Sequence, residues 1–555
     1  MKFNLILIAI ITYVNIFSQD TFTSIRTGTW NDPTSAVPSA TTPWSYTGSD
    51  ADGIPDEDDI VIIDVGHTVT LPSGNTRIKN LTLNGALDIP SASKLYLWAD
   101  AGASSFVLNG TVTGSGEIVS VSYNSVMSGT GSIGSSIDLW VANLFSIDGL
   151  TIEFADQVKL QGVVFNIING ANVTFSGNVF TISSLCKLQN QATITINTTN
   201  FFNSGPTASQ VLRCNYPNST VVFPLDEELP IPFDNYMNLT ITGNAEYDGD
   251  FTVKGDWVNN GVFESLEDNN TITFDGSSAQ QISGSGETTF KKLILNNSSG
   301  LTISGTTVNI DQVLESTSGT ITNSSSSVVL KSSSNNNAGM LKVASSTAYS
   351  GDITAERYFN ATSDGFRMIG SPIENTSLAD WQFPSTPNGF VYCGFTGSNY
   401  TLNGCGGYNN VRFYDESQAT DADPDAGLEL ATNVSNLVTP AIGTIIYSSG
   451  GVNKFSVTGE PEIDNFSVSI SKGSADSDRG WNLISNPYPC TLDWTSFRGA
   501  NTIIDNAQWI YSGDIGNYIQ STNNIPHSQG FWVKKTSVGT SSLNFNISHT
   551  VATDQ

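Results

Sequence analysis

The sequence predicts an all-β chain, with a right-handed parallel β-helix or related solenoid over residues 60–345 followed by an antiparallel β-sandwich over residues 350–555. Three observations predict it. Short segments that alternate apolar and polar residues, the period of a half-buried strand, follow one another through most of the chain. Small polar turns built from Asn, Gly and Ser separate them, and no segment of helical period interrupts the repetitive part. Only 13% of residues are charged, about half the share of an ordinary globular domain. Ser, Thr, Asn and Gly fill the gap, and all four disfavour helix interiors.

Residues 1–18 read MKFNLILIAIITYVNIFS. Lys2 precedes an apolar run from Leu5 to Val14, which has the length of a secretory signal and falls short of the roughly 20 residues a membrane helix needs. Cleavage is expected after Ser18, and no later segment is apolar for long enough to span a bilayer. The mature chain is therefore expected outside the inner membrane, secreted or on the outer cell surface. A Pro-, Thr- and Asp-rich cap segment over residues 19–59 carries Trp30 and Trp44. Strands such as IVIID, HTVTL, NLTLNG and KLYLW come next, and between Asn238 and Lys331 they recur about every ten residues. A sandwich of fixed strand number would not extend so monotonously. A solenoid would, because each coil buries its inward side chains on the next. SSSNNNAGMLKVASS, from Ser332, marks a boundary. Beyond it repetition stops and aromatic residues crowd into FRMIGSPI, VRFYDE, IGTIIYSS, GWNLISNPYP, AQWIYSG and GFWVKK, which read as antiparallel strands. The chain stops at SHTVATDQ without a closing element, so a natural continuation past Gln555 is expected.

The stretches GTWNDP, GIPDEDDIVIIDVGHTVTL and NLTLNGAL resemble the start of β-helical modules in large exported, adhesin-like proteins of the type IX secretion system class, and the opening of the eight-glycine domain. WVNNGVFESLEDNNTITFDGSSAQQISGSGETTFKKLILNN is similar to their repetitive units. RYFNATSDGFRMIGSPI, GWNLISNPYPCTLDW and SQGFWVKK resemble their downstream β-sandwich region. The resemblance covers most of the mature chain, and its motifs are structural punctuation. It implies an extracellular location and an adhesive or surface-layer role. The sorting domain with which such proteins usually end has no counterpart here.

A net charge of −29 and the lack of any basic cluster exclude nucleic acid as a partner, since displacing its counterions requires Lys and Arg. The acidic string SDADGIPDEDD suggests calcium, which takes six to eight oxygen ligands. In an EF-hand-like register starting at Gly48, the ligands are Asp50, Asp52, the Ile54 carbonyl, Asp56 and Asp59. The string also resembles the calcium loops of thrombospondin type 3 repeats, although Gly48 offers no side-chain oxygen and Asp59 stands where a bidentate Glu is usual. A second string, DADPDAG, brings Asp421, Asp423 and Asp425 into alternation, with Pro424 stiffening it. Cys393 and Cys405 bracket a Gly-rich loop and form a disulfide candidate, while Cys490 reads as a buried apolar thiol. The three histidines, His67, His527 and His549, show no metal-ligand spacing. Nucleotide-binding loops and a G-x-S-x-G elbow are missing, so no catalytic residue is assigned.

The expected role is therefore that of a secreted adhesin-like structural protein and not of an enzyme. The solenoid serves as spacer and the C-terminal domain as support or recognition module for an extracellular glycan or protein surface. Trp481, Tyr488, Trp494, Trp509, Tyr511, Phe531 and Trp532 are the residues that would form that domain's core or its binding face. The alternatives are a carbohydrate-active β-helix enzyme, lyase or hydrolase, and a non-catalytic glycan-binding module.

Overall fold

The computed structural model describes residues 19–31, 43–48, 53–99, 102–161, 164–181, 187–199, 201, 211–229, 235–267, 269–334, 337–358, 365–382, 389–448, 454–512 and 516–553. The expected signal segment lies outside them. The chain is all-β and forms two compact units that divide near residues 225–235.

The first unit is a parallel β-solenoid. From Val61 to Ile167 its coils stack so that register partners on successive coils stand 20, 21 or 25 residues apart. One inward column runs Phe22, Val61, Leu81, Phe106, Met127, Ile147, Ile167, each in register with the next. All seven are at most 1% exposed. Burying each such side chain is worth about 1.5–3 kcal/mol, so the alternation seen in the sequence is the main source of cohesion. Parallel pairing begins at Thr21–Ser24, ahead of the expected start at residue 60. The cap segment thus supplies the first rung. Trp44–Thr47 then folds antiparallel onto that rung and covers the open sheet edge. The Trp44 indole N–H donates to the Trp30 carbonyl at 2.8 Å, and the Trp30 indole N–H to the Pro55 carbonyl at 3.2 Å, which fixes the cap.

The second unit begins with further parallel coils. Here Glu287–Asn296 and Thr307–Ser318 are long strands whose pairing shifts register near Phe290 and again near Asn296, so one strand serves two faces. Trp257 fills the interior against Phe263 at 4.8 Å and Phe290 at 5.3 Å. Buried Asn side chains satisfy the coil corners. The Asn259 amide donates to the Glu287 carbonyl and the Thr288 hydroxyl, and its oxygen accepts from the Gly261 N–H.

Ile353–Tyr358 makes the change of architecture. It pairs parallel with Ser327–Leu330 on one side and antiparallel with Lys454–Gly459 on the other. From there the described strands pair antiparallel, with isolated parallel bridges in the loops at Gln382–Phe390, Cys393–Tyr400 and Thr396–Asn433. One four-stranded sheet contains Gly365–Ile369, Thr444–Ser448, Val411–Tyr414 and Leu428–Leu430. Another contains Trp481–Ser485, Gly530–Lys534, Gln508–Ser512 and Asn517–Ser521. The two meet through a small core of Met368, Ile445, Leu483 and Trp532. Trp494–Ala500 is the α-helix among the described residues, capped by Asp493, whose carboxylate accepts the Thr495 and Ser496 N–H groups. Cys490 packs with Val313 and Met340 and donates to the Val551 carbonyl. Burial pushes its thiol up to about 12, so it behaves as the inert apolar thiol expected from the sequence.

Candidate functional site

The sheet that ends with Asn517–Ser521 presents two faces of different character, and strand alternation decides which residue goes where. Phe531 and Val533 point into the core, with Phe531 edge-on to Trp494 at 6.3 Å. Trp532 points the other way, level with Trp509 on the neighbouring strand and Leu483 on the other. Trp481 stands opposite Lys534, and Tyr511 opposite Tyr518. The result is a cleft of about 360 Å³ lined by Tyr414, Asp425, Asp478, Trp481, Trp509, Tyr518 and Trp532. Trp481 and Trp509 meet edge to face at 6.1 Å, as do Tyr414 and Trp532 at 4.8 Å. The Lys534 ammonium lies 4.8 Å from the centre of the Trp481 ring, within cation–π range.

Two loops complete the cleft. Asp425 sits in the turn Pro424–Gly427, and Asp478 in the connection between Phe466–Lys472 and Trp481–Ser485. One buried ion pair ties these loops together. The Arg479 Nε donates to Glu416 Oε1 at 2.9 Å, one terminal nitrogen to the Glu416 carbonyl at 2.9 Å, and the other to Asp421 at 3.3 Å. Burial works against ionisation of Glu416. Hydrogen bonds from the Gly473 N–H, Arg479, the Gly480 N–H and the Ser471 hydroxyl outweigh it and hold the carboxyl below its usual range. Burial, together with neighbouring Glu416, pushes the Tyr414 phenol up to about 12, so it stays a neutral hydroxyl.

The aromatic residues singled out from the sequence therefore divide. Tyr488, Trp494 and Phe531 are core. Trp481, Trp509 and Trp532 line the cleft, and Tyr511 lies edge to face with the cleft residue Tyr518 at 5.4 Å. Sequence reasoning did not single out Tyr414, Tyr518 or Asp478. The alternation Phe531, Trp532, Val533 was the signal available for separating core from cleft.

The acidic strings take different places. Asp50 and Asp52 lie outside the described residues. Ile54 is half-buried, Asp56 is exposed and Asp59 is buried. One Asp59 oxygen accepts the Asp20 N–H at 3.2 Å and the other the Asp56 N–H at 2.8 Å, so this carboxylate pins the cap segment to the first coil. Asp421 is engaged by Arg479 and Asp425 lines the cleft. Among the described residues, the carboxylates whose oxygens converge are those of Glu374, Glu462 and Asp464, within 4.8 Å of one another. Burial, followed by the charges of Glu374, Asp464 and Glu460, pushes the Glu462 carboxyl up to about 7 against the hydrogen bond from the Asp464 N–H. Cys393 is disulfide-bonded, and Cys405 ends the turn Asn403–Cys405, its side chain outside the described residues.

A second polar group lies on the outer face of the first unit. Glu117 takes Lys94 at 2.6 Å and Lys159 at 3.4 Å, and Lys159 also takes Asp138 at 3.2 Å. Each charge is matched by a partner on a neighbouring coil, so this ladder joins coils. Comparison with protein-family models, with curated proteins and with solved structures yields no match to this chain.

Proposed function

We propose that this is an exported, adhesin-like recognition protein whose C-terminal domain binds an extracellular glycan in the aromatic cleft, with the solenoid coils serving as a spacer. One observation carries the reading. Three indoles and two phenols surround a concave space of about 360 Å³ with two carboxylates among them. Flat aromatic rings offer apolar faces that stack on the C–H faces of sugars, while carboxylates and phenols accept and donate to sugar hydroxyls. A concavity of this size fits a small number of sugar units better than a flat protein surface. The resemblance to exported type IX proteins supports the location. The reading includes a right-handed coil, the hand such crossovers adopt, and a sandwich of the C-terminal sheets. It also includes a calcium ion at the acidic string, with Asp50, Asp52, the Ile54 carbonyl, Asp56 and Asp59 as its ligands.

Titration calorimetry of the full chain against a panel of neutral, acidic and amino oligosaccharides tests the proposal. Binding is expected, and Trp509→Ala should weaken it by about tenfold or more, as loss of a central aromatic anchor does. Absence of binding across the panel, or a Trp509→Ala variant that binds like wild type, overturns it.

A further inference from the structure

We infer that the cleft selects glycans bearing free, protonated amino groups, glucosamine-type residues, over their N-acetylated, neutral and uronate counterparts; this rests on the glycan reading above. The observation behind it is the state of the two cleft carboxylates. Asp425 and Asp478 are both exposed and both line the space between the rings. Neither takes part in an ion pair or side-chain hydrogen bond with another described residue. Nearby acids fare differently, because Arg479 engages both Glu416 and Asp421. Arg479 thus engages carboxylates behind the cleft, whereas Asp425 and Asp478 face it without an ion pair among the described residues.

The rings point the same way. An ammonium group is attracted to the face of an indole, and Trp481 already carries the Lys534 ammonium at 4.8 Å. An amino group on a sugar stacked in the cleft would meet both an aromatic face and a carboxylate. Burial raises the Tyr414 phenol to about 12 and, as the leading cause, also raises the Tyr518 phenol, so both rings remain neutral and the negative charge lining the cleft is that of the two aspartates. A uronate would meet two like charges here, on a chain whose net charge is −29.

The test is calorimetry of the full chain with the β-1,4-glucosamine tetramer and its fully N-acetylated form, at low salt. Near pH 6, with the amines protonated, the free-amine tetramer should bind about tenfold tighter. The preference should shrink to within about twofold near pH 9, and in the Asp425→Asn, Asp478→Asn double variant, while Trp509→Ala should weaken both tetramers alike. Equal binding of the two tetramers near pH 6, or a preference that survives the double variant, overturns the amino-sugar inference and leaves glycan binding standing. Binding to neither tetramer nor any other glycan overturns both. A lysine tetramer that binds tighter than the glucosamine tetramer also overturns the inference, because the site would then read cationic peptide.

Discussion

Arg479 joins residues far apart in sequence through one guanidinium. Its donors reach Glu416 Oε1, the Glu416 carbonyl and Asp421, and only a planar fork satisfies all three directions at once. Arg479 and Glu416 are both buried, so loss of the fork leaves a carboxylate short of its partner in low dielectric. Lysine keeps the charge but presents a single ammonium. Arg479→Lys should therefore lower unfolding stability by about 2–4 kcal/mol, read from the urea midpoint followed by indole fluorescence. It should also weaken ligand binding, because the loops bearing Asp425 and Asp478 are held by this contact. A variant within about 0.5 kcal/mol of wild type would mean that the pair is dispensable and the loops are fixed by other contacts.

At the level of strands and turns, stacking is what makes the coils repeat, and glycine corners are where stacking is tightest. A β-carbon on Gly110 would stand 1.8 Å from the Gly85 carbonyl oxygen of the preceding coil, and one on Gly131 would stand 2.1 Å from that of Gly110. Backbone of this kind cannot give way without disturbing both coils. Gly110→Ala should cost about 1–3 kcal/mol, as overpacking does. Gly499, exposed in the helix Trp494–Ala500 with nothing within 4 Å, is the opposite case, and Gly499→Ala should gain about 0.5–1 kcal/mol from helix propensity. Thermal unfolding of the two variants beside wild type checks both signs, and equal effects would sink the close-approach argument. Much of this level was legible in the sequence. The alternation of strands such as NLTL and TITF reports directly which side chains face inward, because the period of two is a local property. The first rung was harder to see. TFTS alternates, but it is only four residues long and is followed by Pro- and Asp-rich turns, so its strand character comes from pairing with Ile60–Ile63. The cleft was legible only in its rings. Its walls depend on Glu416 meeting Arg479, two residues 63 positions apart, and no local pattern encodes that contact.

For the molecule as a whole, pH dependence sets two buried groups of the second unit against each other. His527 is fully buried, and burial, with the Arg357 charge adding to it, lowers its pKa from 6.5 to about 3. The folded state therefore disfavours protonation, and this contribution is intact above about pH 6.5 and is lost as pH falls from there towards 3. Glu462 behaves in the reverse sense. Its carboxyl is raised from 4.5 to about 7, so the folded state prefers the protonated form, and stability grows as pH falls from about 7 to 4.5. Glu374 of the same cluster is also raised, by burial and by the charges of Glu460 and Asp464, and acts in the same direction. Each group contributes a slope of about 1.4 kcal/mol per pH unit inside its own window, with opposite signs between about pH 4.5 and 6.5. Wild type should therefore show a urea midpoint that does not fall across that interval, followed by a decline below it, where protonation of His527 and of the paired Glu416 both cost stability. Removing one partner exposes the other. Glu462→Gln should lose about 2–3 kcal/mol between pH 6.5 and 4.5, while His527→Gln should gain stability over the same interval, each compared with the same variant at about pH 7.5. If both variants keep the wild-type profile, the two groups do not titrate differently in the folded and unfolded states, and the general drop in negative charge on a chain of net charge −29 governs the acid response instead.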